Sequence, residues 1–463
     1  MKELVRSPAA APRAGRQGVL VTVLLVALAW WAPPAAGGLI KVGPPGFEVE
    51  SLAQWKGCVV RTIDLSGNKH TKEQVVRREI QTQVGEPIDL DLLAHDLVRL
   101  ENLSVFADVR VEAEDAGSDG VKLLFVFRES PPFIPFPAYA YTEENGFSIG
   151  AGISGGNIDG RAIRLVGRAF FGGTTQYWMK FNWPWAWGND HQSIDAFVAR
   201  LDRDDLLRGF EERSTELTPT VSRYLGDHGR LFLSYSNFRM QSNVPGITVS
   251  PDNDDTLHRV GVKLGLDTRD SWGNPRRGWK NELEVWKTGG FLGGDADFWT
   301  VSADVRRWIP TARRQKLLLA GLVSLQSGTY GEDVPAYMDY RIGGANSVRG
   351  HPVELGQELY GKNQMFGTAE YSLTLSPLRR WDVWKLSFRL GFDLAVFGDL
   401  GVVWSEPGEL NARRTRGGVG VGLRILVPGT EMTRLDVGWS RAGGFQLHFA
   451  PWSKPTAQRG RLR

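Results

Sequence analysis

The feature that most constrains the fold of this chain is a two-residue alternation of apolar and polar side chains, which begins near residue 138 and continues almost to the end. Apolar residues occupy every second position in residues 259–269, in 389–402 and in 419–425. Successive side chains of a β-strand point to opposite faces, so each run predicts a strand with one apolar and one polar face. Counting such runs across residues 136–451 predicts about sixteen strands.

Two β architectures produce this pattern. In a soluble sandwich the apolar faces form a core and the polar faces meet water. In a transmembrane barrel the apolar face meets lipid, the polar face meets a wet interior, and aromatic residues gather at the strand ends. Aromatic clusters at 182–189 and 272–279, with 55 Gly and 17 Trp in the chain, favour the barrel. An even strand number is also typical of bacterial barrels.

The N-terminal residues 1–37 predict a secretory signal. Lys2, Arg6, Arg13 and Arg16 precede an apolar run at 18–32, which is followed by prolines and small residues. The alternative is a membrane anchor, but the run is shorter than the roughly 20 residues that a spanning helix needs. We therefore expect the protein to leave the cytoplasm. Its net charge of +3 gives no electrostatic case for nucleic acid as a partner.

Residues 58–130 predict a small α+β domain with the element order β-α-α-β-β, between linkers at 38–57 and 131–137. The barrel then spans 138–452 and a basic tail 453–463. The alternatives for this small domain are a plain spacer and a sheet whose edge accepts an extended peptide by strand addition. Apolar residues at helical spacing would cover one face of its three-stranded sheet: Val75, Val76, Ile80, Leu92, Leu93, Leu97 and Leu100.

No catalytic, cofactor or metal site is predicted. Residues 146–150 spell G-x-S-x-G and residues 150–155 spell G-x-G-x-x-G, but both lie inside one alternating strand, without the helix that either motif requires. Residues 356–363 nearly match a phosphate-binding loop, but Asn363 replaces its Ser/Thr. The seven histidines lack metal-ligand spacing. We therefore expect a protein that is not an enzyme and holds no cofactor.

Together these features resemble the BamA-type superfamily of outer-membrane assembly and translocation proteins, whose small domains are called POTRA domains. The likeness covers nearly all of the expected mature chain. It rests on a strand-turn motif, a loop motif and two strand motifs. The strand-turn motif comprises Asp267, Thr268, Arg269, Asp270, Pro275 and Gly278. The loop motif comprises Gly343, Gly344, Val348, Arg349, Gly350 and His351. The strand motifs are Phe397-Gly398-Asp399-Leu400-Gly401 and Ala369-Glu370-Tyr371, and Gly444, Leu447 and Phe449 partly match the family's closing-strand signal.

The resemblance implies a role for the loop arginine. Glu370 shares a strand face with Ser372, and Asp399 shares one with Asp393, so both carboxylates should point into the barrel. Arg349 is expected to reach them from a folded-in loop, because a guanidinium presents paired donors that fit carboxylates. We call Arg349, Glu370 and Asp399 the lumen lock. The alternative is an exposed loop arginine.

The resemblance also implies a function in the cell outer membrane, with the POTRA-like domain in the periplasm. The main hypothesis is an assembly and insertion factor that accepts substrate strands at this domain and at a lateral seam of the barrel. The glycine-rich run at 148–154 and the pair Gly443 and Gly444 would make that seam weak. Expected partners are unfolded outer-membrane or secreted polypeptides, outer-membrane lipid and accessory periplasmic lipoproteins. A secretion translocator for one passenger, or a passive channel, are the alternatives.

Overall fold

The computed structural model describes residues 40–45, 49–103, 105–117, 120–142, 145–188, 191–205, 208–226, 228–271, 274–352, 359–383, 386–426 and 433–450. The predicted signal at 1–37 and the basic tail at 453–463 lie outside these residues. One small compact unit contains strand β1 (Ile40–Pro45), which pairs with the strand Asn363–Val383. The second unit contains the N-terminal domain and the large sheet.

The N-terminal domain has the predicted order β-α-α-β-β. It consists of β2 (Val59–Ser66), α1 (Glu73–Arg77), α2 (Leu90–Asn102), β3 (Phe106–Asp115) and β4 (Gly120–Glu129). β4 is the central strand, parallel to β2 and antiparallel to β3. This confirms the mixed α+β domain.

Helix α2 begins where the sequence provides an N-cap. The Asp89 side chain accepts hydrogen bonds from the backbone N–H groups of Asp91 and Leu92 at 2.8 and 3.2 Å, which satisfies two donors that the first helical turn leaves free. Leu93, Leu97 and Leu100 recur at helical spacing and are fully buried against the sheet. The core of the domain therefore lies between this helix face and the three strands.

The predicted linker at 38–57 is wrong in part. Residues Val49–Trp55 form a short 3-10 helix, and Leu52 from it is buried in the core of the N-terminal domain. The apolar residues of this stretch, with Trp55 also packed on the core, explain the difference, because the Gly and Pro residues that suggested a linker lie mainly before it.

Leaving β1 aside, sixteen strands of the described residues form the large sheet, which confirms the predicted antiparallel architecture. They are β5 (Phe133–Thr142), β6 (Gly146–Ile158), β7 (Ile163–Gly172), β8 (Thr175–Trp183), β9 (Gln192–Asp205), β10 (Phe210–Leu225), β11 (Gly229–Ser242), β12 (Asp254–Asp267), β13 (Gly278–Gly289), β14 (Asp297–Ala312), β15 (Gln315–Gln326), β18 (Asn363–Val383), β19 (Leu386–Trp404), β20 (Arg416–Leu426), β21 (Thr433–Ser440) and β22 (Gly444–Ala450). Between β15 and β18 the chain makes a small separate hairpin of β16 (Tyr340–Arg341) and β17 (Tyr360–Gly361).

Strands of the large sheet that are consecutive in the chain are neighbours in space. The order runs from β5 through β15 and continues from β18 through β22. β9 pairs with β10 over fourteen residue pairs, from Phe210 with Asp205 to Arg223 with Gln192. β5 and β22 are therefore the first and last strands of this order.

The two faces of the sheet have the polarity that the alternation predicts. Val262, Leu264 and Leu266 of β12 are nearly half exposed, whereas Arg259 of the same strand is buried. In β19, Val396 is 54% exposed and Asp393 is 0% exposed. Apolar side chains therefore cover the outer face, and charged ones fill the interior, as in a barrel whose outer face meets lipid.

The first strand of the sheet corrects two predictions. The linker expected at 131–137 is wrong from Phe133 onward, because Phe133–Thr142 is strand β5 and pairs with β6. β5, rather than the strand that contains the glycine-rich run at 148–154, is the first strand of the sheet. Pro135 and Pro137 obscured this strand, because prolines are normally confined to the edges of sheets. Their spacing of two removes backbone donors along a single edge.

A search of the described residues for a helix long and apolar enough to cross a membrane finds no such segment.

Candidate functional site

The loop between β15 and β18 folds into the interior of the sheet and positions Arg349 there. Gly350 has φ +85°, and a Cβ at this position would lie 2.5 Å from the backbone nitrogen of Trp439. Only glycine allows this close approach of loop backbone and strand backbone. The loop segment 343–352 therefore lies directly on β21.

Arg349 is nearly fully buried and contacts both predicted carboxylates. Its Nε and Nη2 donate to the two oxygens of Asp399 at 2.7 and 2.8 Å, which is a bidentate pair. Its Nη1 donates to Glu370 Oε2 at 2.9 Å. The backbone N–H of Arg349 also donates to Asp399 at 3.0 Å. The structure thus brings together the three residues of the predicted lumen lock.

The cluster around Arg349 is larger than the sequence indicated. Arg424 of β20 donates to both oxygens of Glu370, at 2.9 and 2.6 Å, and to Asp436 of β21. Asp436 also accepts from Arg349 at 3.4 Å. Arg434 lies 3.7 Å from Asp436 and donates to Ala345 O and Asn346 in the loop. We call these six charged residues the interior charge cluster: Arg349, Arg424, Arg434, Glu370, Asp399 and Asp436.

The formal charges of the interior charge cluster cancel, because three guanidinium groups face three carboxylates. This balance matters, since a buried charge is tolerated only when it is paired and hydrogen-bonded. The guanidinium carbon of Arg349 also lies 3.4 Å from the centroid of the Phe397 ring. The Thr368 hydroxyl donates to Asp399 at 2.6 Å and orients that carboxylate.

Further contacts attach the loop segment 343–352 to the last two strands. The Gly350 N–H donates to Nε2 of His448 in β22 at 2.9 Å. The Ser440 hydroxyl of β21 donates to the Gly350 carbonyl. Val348 is fully buried in an apolar cluster with Ile342 and Phe366. The segment is therefore held by apolar packing as well as by charge.

The earlier part of the same loop is attached to other strands. Arg208, in the turn between β9 and β10, donates to Ala336 O at 3.0 Å and to Asp339 at 3.1 Å. Tyr337 and Met338 are buried in an apolar cluster with residues of β10, β11, β12 and β14. The loop therefore spans the interior from the β10 side to the β22 side.

The other predicted site residues lie in different places. Gly343 and Gly344 both have positive φ and begin the turn into the loop, with Gly344 N–H donating to His351 O at 3.0 Å. His351 is buried, and its Nδ1 lies 3.2 Å from Pro352 O. Neither the glycine pair nor His351 contacts the carboxylates of the interior charge cluster in the described part of the chain.

The strand-turn motif lies in the turn between β12 and β13. Arg269 pairs with both oxygens of Asp267 at 2.8 and 2.6 Å, and Asp270 accepts the Arg276 N–H at 2.8 Å. The Thr268 hydroxyl accepts the Trp279 N–H, Pro275 is buried, and Gly278 has φ +110°. This turn and the loop between β15 and β18 lie at opposite ends of the sheet, because antiparallel strands alternate in direction.

The closing-strand residues are in β22. Gly444 starts the strand with φ +66°, and Leu447 points outward with 42% of its surface exposed. Phe449 shares this outer face by parity and is half-buried. The interior contact of β22 is instead made by His448, which the motif did not include.

A second polar site joins the N-terminal domain to the turn between β6 and β7. Glu129 accepts hydrogen bonds from the backbone of His70 and Thr71 and from the Thr71 hydroxyl. Asn157 donates to that hydroxyl at 2.7 Å, and Lys72 pairs with Asp159 at 3.2 Å. Burial alone would raise the pKa of Glu129, but the hydrogen bonds from Thr71 and His70 favour the ionised form and lower it below its usual value.

Contacts from two more positions extend this joint. Arg164 of β7 donates to Asn102 O at 2.9 Å and also to Leu103 O. The guanidinium of Arg78 stacks 3.5 Å from the centroid of the Trp185 ring, in the turn between β8 and β9. The N-terminal domain is thus attached to the ends of β6, β7 and β8.

Sequence reasoning missed Arg424, Arg434, Asp436 and His448 as site residues. The alternation at 419–425 puts Arg424 on the polar face of β20, and the same rule applied to β21 and β22 selects the other three. Which of these side chains contact each other, however, depends on strand register, and alternation alone does not give the register.

Within the part of the chain that the structure describes, no group of His, Cys, Asp and Glu residues could hold a metal ion.

Comparison with known proteins gives two family matches. Residues 157–449, more than half of the chain, match the model of the Omp85 superfamily domain. Residues 59–130 match a second model, the surface antigen variable number repeat, of the POTRA type. Both matches agree with the two parts of the fold.

Individual relatives are distant. The chain is 23% identical over 372 residues to the outer membrane protein assembly factor BamA of Nitratidesulfovibrio vulgaris. This alignment covers 76% of the chain and 45% of that protein. It is 23% identical over 385 residues to the BamA of Neisseria meningitidis serogroup B, in an alignment that covers 74% of the chain and 46% of that protein. The chain therefore spans less than half the length of these curated relatives.

Solved structures share the fold. BamA from Haemophilus ducreyi lacking POTRA domains 1–3 superposes with a TM-score of 0.54 at 16% identity, covering 94% of this chain and 92% of that one. CdiB from Escherichia coli superposes with a TM-score of 0.54 at 13% identity, covering 85% of this chain and 74% of that one.

Proposed function

Because the chain belongs to the Omp85 superfamily, we propose that it is an outer-membrane assembly factor that inserts client β-strands through a seam between β22 and β5. It is an outer-membrane barrel whose POTRA domain lies in the periplasm, and like other family members it is a non-enzymatic protein. Its clients are unfolded outer-membrane polypeptides. Outer-membrane lipid and accessory periplasmic lipoproteins are the further partners that we propose.

The observation that carries this proposal is the interior charge cluster. It holds loop segment 343–352 against β18 to β22 and so fixes the shape of the barrel wall beside the seam. A passive channel needs neither such a cluster nor a POTRA domain. In the proposed role of the lumen lock, Arg349 keeps this wall rigid while the neighbouring strand pair separates.

The POTRA sheet supplies a first docking edge for the client. Of its two outer strands, β2 is partly covered, because Val60 exchanges backbone hydrogen bonds with Gly85 and Glu86 at 2.8 and 2.9 Å. β3 pairs with β4 on one side only in the described structure. An extended peptide adds to a free edge through main-chain hydrogen bonds, without strict sequence demands. We therefore assign client docking to β3.

Site-specific photocrosslinking tests this docking edge. A photoreactive residue at Glu112 of β3 should capture an unfolded barrel protein, whereas the same residue at Asp64 of β2 should not. Both positions are exposed strand residues of the same sheet, so they form a matched pair. Equal capture at the two positions would reject β3 as the specific docking edge.

Depletion of the protein in cells tests the function itself. If it is an assembly factor, the levels of many outer-membrane barrels fall together. A secretion translocator, which is the alternative, would cause the loss of one exported protein while other barrels stay constant. Unchanged levels of both would reject assembly and secretion together.

A further inference from the structure

Arg307 points outward from the sheet, toward the lipid. Val301 and Val305 of the same strand, β14, are 40% and 45% exposed on the outer face, and Arg307 shares their parity and is exposed. Its guanidinium carbon lies 4.5 Å from the centroid of the Trp279 ring, and the two residues are direct partners in the register of β13 and β14. An arginine and a tryptophan are thus stacked on the lipid-facing surface.

The POTRA domain shows at which end of the barrel this pair lies. The domain contacts the turns that follow β6 and β8, through Asn157 and Trp185. Since antiparallel strands alternate in direction, the turns that follow β12 and β14 lie at the same end. Trp279 is the second residue of β13, directly after one of these turns. Because the POTRA domain lies in the periplasm, Arg307 and Trp279 lie near the periplasmic boundary of the bilayer.

The depth of Arg307 determines what can bind it. An outward-facing arginine is costly at the bilayer midplane and costs little near the interface. The phosphate groups of phospholipids lie at the interface. A guanidinium presents a planar fork of donors that binds a phosphate through two hydrogen bonds. Arg307 is therefore placed to contact a lipid phosphate.

The surface around Arg307 carries an excess of positive charge. The inward-facing Arg306 next to it pairs with Asp304 at 2.6 Å. In contrast, four exposed arginines of β14 and the two adjacent turns form no ion pair within the described residues: Arg277, Arg307, Arg313 and Arg314. Asp270 is the only acidic residue in the sequence of these turns, and its carboxylate accepts the backbone N–H groups of Arg276 and Arg277. Such a surface attracts anionic lipids more than zwitterionic ones.

A groove on the outer face begins at Arg307 and crosses β15, β18 and β19. Its volume is about 980 Å³, and its lining is mainly apolar. Leu319 and Leu400, which are 43% and 62% exposed, contribute side chains to the lining. Gly321, Gly367 and Gly398 also line it, and the first two are direct partners in the register of β15 and β18. The groove is therefore an apolar channel with a positively charged end.

The backbone does not require glycine at these three positions. None of the three has a positive φ, and a Cβ added at any of them would lie 3.8 Å or more from its nearest neighbour. Glycine inside a strand is unfavourable, because it loses the most conformational freedom on folding and has no side chain to pack. Its effect here is on the shape of the surface, since the missing side chains keep the outer face concave.

We infer that this surface binds one anionic phospholipid of the periplasmic leaflet. Arg307 binds the phosphate, the neighbouring arginines attract its charge, and an acyl chain lies in the groove over Gly321 and Gly367. The occupant is a lipid rather than free phosphate because the apolar groove continues directly from the charged end. The inference needs only a barrel in the outer membrane and does not depend on the assembly function.

The lipid site lies on the opposite side of the wall from the interior charge cluster. Gly367 precedes Thr368 and Gly398 precedes Asp399, and the side chains of Thr368 and Asp399 accept hydrogen bonds from Arg349 on the inside. Successive residues of a strand face opposite sides. The acyl chain therefore covers the outer surface of the same strands that hold the loop segment 343–352.

Native mass spectrometry of the folded, detergent-solubilised protein tests the charged end, with phosphatidylglycerol as the probe. Arg307→Gln should bind this lipid about tenfold more weakly than the wild type, because one charge-assisted contact is lost. Arg223→Gln is the matched control. Arg223 is exposed on the outer face near the same end of β10, but it lies outside the groove. Its replacement should change the affinity by less than about twofold.

Gly367→Leu tests the groove. Leucine at this outward position suits a lipid-facing surface and meets no close neighbour, so the barrel should fold, as heat-modifiable gel mobility will show. The added side chain should lower the affinity for phosphatidylglycerol by about fivefold, because it occupies the place of the acyl chain. If this variant does not fold, Gly321→Leu makes the same test from the neighbouring strand.

Three results would overturn the inference. The first is equal affinity of Arg307→Gln and Arg223→Gln for phosphatidylglycerol, and the second is equal binding of phosphatidylglycerol and phosphatidylethanolamine by the wild type. The third is complete displacement of the lipid by millimolar inorganic phosphate, which would make this a phosphate site. Wild-type affinity in a folded groove variant would reject the position of the acyl chain.

Discussion

Arg424 lies directly opposite Arg434 in the register of β20 and β21, and both side chains are almost completely buried. Like charges that face each other across two strands destabilise a sheet. Here the repulsion is offset because Asp436 lies between the two arginines and Glu370 binds Arg424 through both oxygens. Asp436, two residues from Arg434 on the same strand face, is therefore the residue on which this arrangement depends.

Asp436→Asn should destabilise the barrel strongly. The change keeps the side-chain shape but leaves three buried guanidinium groups with two carboxylates, and the loss of one partner in a buried pair typically costs roughly 3–5 kcal/mol. The temperature at which the folded gel band disappears should fall accordingly. Asp254→Asn is the control, because Asp254 pairs with the exposed Arg239, and such surface pairs contribute about 0–1 kcal/mol. Equal shifts in the two variants would contradict the prediction.

Arg349→Ala and Arg349→Lys should both be exported normally and both lose barrel stability or activity. Alanine leaves Asp399 buried without its bidentate partner, and a lysine ammonium cannot replace a planar fork of donors. The folded fraction in outer-membrane preparations measures the effect. Arg213→Ala, at an exposed position of β10, should resemble the wild type. Wild-type assembly activity in Arg349→Ala would reject the lumen lock.

Gly350→Ala should be much more damaging than Gly331→Ala. The two glycines have nearly the same positive φ, +85° and +87°, and lie in the same loop, so both substitutions impose the same left-handed strain, on the order of 1 kcal/mol. At Gly331 an added Cβ meets open space, whereas at Gly350 it would lie 2.5 Å from the Trp439 nitrogen. The difference in thermal stability between the variants measures the close contact alone. Similar stabilities would show that the loop can move away from β21.

The joint between the POTRA domain and the barrel should weaken in acid. Because the folded state lowers the pKa of Glu129, ionised Glu129 stabilises the protein fully above the ordinary glutamate pKa of about 4.3, and this contribution is lost as the pH falls through the lowered value. The difference in denaturant stability between wild type and Glu129→Gln should be constant from pH 7 to pH 5 and shrink below about pH 4. A constant difference down to pH 3 would contradict this assignment.

The strand pattern predicted the sheet because a lipid-facing barrel repeats one simple rule along every strand. Val262 and Val396 point outward and Arg259 and Asp393 point inward, as alternation requires. Strand β5, which begins at Phe133, was not predicted by this alternation. Pro135 and Pro137 hid a strand, since proline is read as a break in pairing when the neighbours of the strand are unknown.

The interior charge cluster was predictable only in part. Arg349 and its two acids follow from a family resemblance combined with parity, both of which depend on local sequence. Asp436 and His448 enter the site through the register of three strands and the path of a long loop. Register is decided by contacts between residues far apart in the chain, so no single segment of the sequence contains it.

The loop between β15 and β18 has a mechanical consequence for the whole barrel wall. Through Arg208 and the apolar cluster of Tyr337 it is anchored at the β10 side, and through Arg349 and Gly350 it is anchored at β18 to β22. The strands from β10 to β22 are thereby cross-braced into one arc. The POTRA domain is attached through Asn157, Arg164 and Trp185 to the ends of β6, β7 and β8, which lie outside this arc. The loop and the POTRA domain therefore brace different sections of the same sheet.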